Sequence, residues 1–130
     1  VAVGRTRVMS RYDLVVATDA GVTILGFKTG DVNTEVKAQQ RAEESLQLAI
    51  YALAHFRTTG SLPTRVELRF LETGLVGGFA PSQDLVLATE KKVAEVAERI
   101  SRGLFDATPS HGACRPCPFR DVCPATAKDD

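Results

Sequence analysis

The chain predicts an α/β fold, a mixed central sheet flanked by helices, and three observations carry that reading. Two strand-like runs, Asp13 to Thr18 and Val22 to Phe27, flank the turn signal Asp19-Ala20-Gly21, which predicts a β-hairpin. A long helical stretch follows, and two more strand-like runs come after it. The order strand-strand-strand-helix-strand-strand-helix lets a helical segment cross over and add a strand beside the hairpin.

The elements follow in order. Ala2 to Val8 is a weak, Arg-rich strand candidate, and Thr29 to Thr34 is a loop rich in turn formers. Glu35 to Thr59 predicts one long helix, with Leu46, Ile50 and Leu53 at i, i+4 and i+7 and Gly60 placed to end it. Pro63 leads into a strand over Arg65 to Leu71, and Gly74 precedes a shorter one over Leu75 to Ala80. Ser82 is placed to cap a second helix, striped by Val93, Val96, Ala97, Ile100 and Leu104. Beyond Pro109 the chain predicts a coil carrying all three cysteines, so the reading divides into a core, 1–109, and a cysteine tail, 110–130.

Composition bounds the function. The 130 residues are enough for a single core, and 44% apolar with 25% charged residues is an ordinary globular balance. Sixteen basic and sixteen acidic residues cancel, so bulk charge gives no argument for nucleic acid. No apolar run approaches the roughly 20 residues that span a bilayer, and no signal-peptide pattern is present. Opening at Val1 in strand-like sequence, the chain reads as a piece of a longer polypeptide.

A hairpin brings Asp13, at the start of its first strand, beside Gly26-Phe27-Lys28-Thr29-Gly30 at the end of its second. Asp13 and, about a dozen residues on, Gly26-Phe27-Lys28-Thr29-Gly30 resemble the core of the PD-(D/E)XK nucleases, in particular the RecB-like branch, whose pattern is an Asp followed by Asp-x-Lys-Thr/Ser-Gly/Asn. Gln47-Leu48-Ala49-Ile50-Tyr51, a Gln and a Tyr at i, i+4, matches that branch's Gln-x-x-x-Tyr motif in order and distance. The chain departs from the pattern at Gly26, where the family has an Asp.

The resemblance implies a restriction-endonuclease-like core and a metal-dependent DNA nuclease. It implies Asp13, position 26, Lys28, Gln47 and Tyr51 as site residues, with Asp13 on Mg²⁺ or Mn²⁺ and Arg11, Lys28, Gln47 and Tyr51 toward DNA. It also implies attachment to UvrD/Rep-like helicase domains, in the same polypeptide or a partner subunit. The setting implied is bacterial DNA-end processing in the cytoplasm, close to the nucleoid and away from membranes. Mg²⁺ prefers hard oxygen ligands, and in such sites it activates water and neutralises charge on the phosphoryl group. Gly26 offers only a main-chain carbonyl, so the metal site reads as degenerate. Two classes of function follow: a DNA-binding or scaffolding module without catalysis, or an active exonuclease using a carboxylate moved onto the helix at Glu35, Glu43 or Glu44. The plain alternative for those glutamates is a solvated helix face, with Glu35 favoured by the helix dipole. Arg41, His55 and His111 earn no catalytic role from sequence.

Cys114, Cys117 and Cys123 form a Cys-x2-Cys-x5-Cys array in a Pro-rich segment. Three thiols this close suit a soft metal better than packing, and three is an odd number for disulfides. The array resembles the cysteine cluster of AddB-type helicase-nucleases, which implies a [4Fe-4S] cluster completed by a cysteine upstream of Val1. A zinc site completed by His111 is the alternative.

Overall fold

The computed structural model describes residues 1–127. Two compact units divide between Ala97 and Glu98.

The first unit is built on a four-stranded mixed sheet. Strands β1 (Ala2–Val3) and β2 (Thr6–Arg7) pair with each other in a separate two-stranded ribbon. The expected strand over Ala2 to Val8 is therefore a tight hairpin, turned at Gly4 with φ 58°. Strands β3 (Leu14–Thr18) and β4 (Gly21–Lys28) form the expected antiparallel hairpin. Helices α1 (Glu35–Glu43) and α2 (Leu46–Thr59) then carry the chain to β5 (Arg65–Phe70), which lies parallel to β4, and β6 (Val76–Phe79) returns antiparallel to β5. The sheet order is β3-β4-β5-β6. Helix α3 (Gln83–Ser101) ends at Ser101, short of the expected Leu104, and Ser82 Oγ accepts a hydrogen bond from Leu85 N–H.

The single helix expected over 35–59 is two helices. Ser45 breaks it: its backbone is extended (φ −75°, ψ 107°) and its hydroxyl accepts from Leu48 N–H, so it caps α2. The break also resets the buried face. Leu48, Tyr51, Ala52 and Leu53 are buried, whereas Leu46 is 45% exposed. The stripe on α3 is corrected likewise, since Val86 and Thr89 are buried and Val96 and Ile100 are exposed.

Register assigns the faces of the sheet. Ile24, Gly26 and Lys28 pair with Val66, Leu68 and Phe70, and this face carries α1 and α2 and the main core. α2 turns its other side, through Leu53, to Val3 and Val86 in a second cluster. The opposite face of β5 bears Arg65, Glu67 and Arg69, with Glu67 paired to both arginines.

α1 lies close over β6. A Cβ at Gly77 would stand 2.1 Å from the Ala38 carbonyl oxygen, so only glycine admits this approach. Gln39 fixes it, its amide donating to Gly78 C=O at 2.8 Å and accepting from Gly78 N–H at 3.1 Å.

In the second unit, the segment expected to be coil contains a short helix, α4 (His111–Cys114), capped by Ser110. No helix among the described residues is long and apolar enough to cross a membrane.

Candidate functional site

The hairpin builds the site by pairing. One step beyond the Leu14–Leu25 pair, Asp13 lies opposite Gly26. Asp13 Oδ2 accepts the Phe27 N–H at 2.8 Å, so the carboxylate closes the end of the hairpin as a backbone acceptor would. A Cβ at Gly26 would lie 3.8 Å from Asp13 Oδ2, 3.7 Å from Tyr51 Cε2 and 3.3 Å from Leu68 Cδ2. The space for a side chain at position 26 is therefore open, beside Asp13, with only a flexible Leu methyl in tight contact.

α2 delivers Gln47 and Tyr51 to the same place. Gln47 Nε2 donates to Tyr51 Oη at 2.7 Å, and Tyr51 Oη donates to the Arg11 carbonyl at 2.6 Å. The direction is fixed, because a carbonyl can only accept and the hydroxyl has one proton to give. Gln47 Oε1 is consequently left buried with no partner among the described residues, a condition that costs about 1–3 kcal/mol unless a donor reaches it. Tyr12 packs edge-on against Tyr51 with ring centres 5.1 Å apart. Burial raises the Tyr51 hydroxyl above the ordinary tyrosine value, and the Asp13 carboxylate pushes it the same way, against the Gln47 hydrogen bond. Tyr12 is raised by burial and by Tyr51.

Two cavities open near the end of β4. One of about 520 Å³ is lined by Arg11, Asp13, Gln47 and Tyr51, with Leu46 and Ile50 as apolar wall. The other, about 350 Å³, is lined by Lys28, the Thr29–Val32 loop, Arg41, Glu44 and Ser45. Asp13, Gly26, Gln47 and Tyr51 thus lie together, while Lys28 lines the second cavity. Tyr12 and Arg41 are the residues that sequence reasoning missed. Tyr12 stood next to Asp13, but an isolated Tyr gives no signal of the ring it will meet.

The donor set does not fit an organised Mg²⁺ site. Asp13 supplies one carboxylate, Gly26 none, and no group of three His, Cys, Asp or Glu able to hold a metal occurs among the described residues. Of the glutamates weighed as replacements, none lines the cavity of Asp13, and Glu44 lines the cavity of Lys28. Glu43 takes a hydrogen bond from Gln39, and Glu35 stands in the first turn of α1. His55 is half-buried on α2, apart from the site. Cys114, Cys117 and Cys123 are free thiols, each partly exposed.

Comparison with curated proteins finds no match. The family model of the PD-(D/E)XK nuclease superfamily matches residues 1–124, from the first ribbon through the last cysteine, and the chain belongs to that superfamily.

Proposed function

We propose that this is a nuclease-like DNA-binding domain with a degenerate metal site, working within a helicase-nuclease of bacterial DNA-end processing. The observation that carries it is the hairpin end: Asp13 faces Gly26, and one Asp13 oxygen is already occupied by Phe27 N–H. One carboxylate in that state holds Mg²⁺ weakly, while Arg11, Lys28 and the Gln47–Tyr51 pair are still grouped about the two cavities. The helicase context and the nucleoid setting rest on the family resemblance. So does a [4Fe-4S] cluster on Cys114, Cys117 and Cys123, for which soft thiolates at x2 and x5 spacing are the supporting chemistry.

Binding and cleavage measured together test the reading. The unmodified chain should bind single-stranded or frayed DNA and leave it intact with Mg²⁺ or Mn²⁺. A second reading, an active exonuclease, is favoured by one observation, that Glu44 and Lys28 line one cavity. Metal-dependent cutting that disappears in Glu44→Ala would replace the first reading with the second.

A further inference from the structure

We infer that Arg41 holds a DNA backbone phosphate in the cavity beyond Lys28, as a second cationic contact of the site; this rests on the DNA-binding reading above. The break between α1 and α2 opens the cavity. Its walls are the last turn of α1, bearing Arg41, the cap residue Ser45, and the loop after β4, which Val32 pins by its burial. Lys28 and Arg41 both line it, and neither has an ion pair or side-chain hydrogen bond among the described residues.

Two carboxylates also line the cavity, Asp31 and Glu44, yet neither lies within ion-pair distance of these cations. Glu44 instead accepts a hydrogen bond from Gln40 on α1, at 3.1 Å. A hard cation needs convergent oxygens, and no three ligating groups converge among the described residues. Two unpaired cations on one concave wall suit a phosphate, which a guanidinium grips through paired N–H donors and an ammonium neutralises as a point charge. Lys28 ends the strand that carries Gly26, which puts this cavity next to the hairpin end.

The test is the salt dependence of binding. The full chain is titrated, without divalent metal, against a short fluorescein-labelled oligothymidylate at several salt concentrations. Arg41→Ala should weaken binding about three- to ten-fold and lower the slope of log affinity against log salt by about 0.7, one phosphate contact on a single strand. Arg41→Lys should keep the slope, and Glu44→Gln should tighten binding by relieving repulsion. Arg41 is exposed on a helix, so the alanine variant should keep its melting temperature. If Lys28→Ala lowers the slope and Arg41→Ala does not, the inference is wrong and the DNA reading stands. If the unmodified chain shows no salt-dependent binding, both fall. A Glu44→Gln variant that weakens binding only when Mg²⁺ is present would make the cavity a cation site and overturn the inference.

Discussion

Position 26 is a single missing carboxylate in a place still shaped for one. The nearest obstacle to a side chain there is Leu68 Cδ2, at 3.3 Å, and a leucine methyl can shift by a few tenths of an ångström. Gly26→Asp should therefore fold, and without metal it should melt lower than the parent because two carboxylates then crowd each other. Mn²⁺ at about 100 times its dissociation constant should return about 2.7 kcal/mol to that variant and nothing comparable to the parent. Thermal melts with and without the ion check this, and equal melts would show that the second carboxylate does not complete a site. The two tyrosines offer a cleaner reading, because the chain has no others and no Trp. Both are raised above the ordinary value. Above about pH 10 the unfolded chain releases tyrosine protons that the fold retains, so the contribution of these two groups is constant at lower pH and turns unfavourable as pH rises beyond that point. An absorbance titration of the phenolates should give midpoints above 10 for both, and a midpoint at the free value would show the Tyr51–Arg11 bond open. The meeting of Asp13, Gly26, Gln47 and Tyr51 was legible because pairing and helical spacing are periodic. Arg41 was not, because its cavity exists only where the helix breaks.

The break itself shows why boundaries inside an apolar helical run escape a reading of periods. Ser45 lies among good helix formers, and its hydroxyl competes for the backbone locally. Only the extended backbone at that residue reveals the cap. Ser45→Ala should remove about 1 kcal/mol of stability, measured by denaturant unfolding, and should narrow the cavity if the two helices fuse. β6 is a different case. A strand was expected over Leu75 to Ala80, but nothing in two adjacent glycines announces that a helix backbone rests on one of them. Gly77→Ala drives a methyl into the Ala38 carbonyl, so a loss above about 3 kcal/mol is expected, among the largest for any small substitution in this chain. A loss near 0.5 kcal/mol would mean that α1 can lift away from the sheet.

At the scale of the molecule, the two units differ in how they are held. The first unit has a continuous core from Ile24 through Leu48, Tyr51 and Val66. In the second, Phe105, Phe119 and Val122 are exposed, and apolar burial does little of the ordering. The three thiols do not form a group able to hold a metal by themselves among the described residues. The proposed [4Fe-4S] cluster needs a fourth cysteine, so iron and sulfide analysis should find both only in an anaerobically purified parent protein that supplies it, with Cys114, Cys117 and Cys123 protected from alkylation until the metal is removed. Metal-free protein whose thiols react at one unhindered rate before and after iron reconstitution would set the cluster aside.

The sheet ends differently on its two sides. Gln39 satisfies the outer backbone of β6 through Gly78, whereas β3, the strand at the other edge, carries Leu14, Val15 and Val16 each about 40% exposed. An open strand edge with apolar side chains is a template for another chain, and charge repulsion is what ordinarily keeps copies apart. This chain has a formal net charge of zero at pH 7 and a pI near 6.9, so it lacks that protection where cells and most buffers operate. Light scattering at fixed concentration should show self-association peaking close to neutrality and receding a unit or two to either side. Val16→Lys on the edge strand should suppress the peak without disturbing the site.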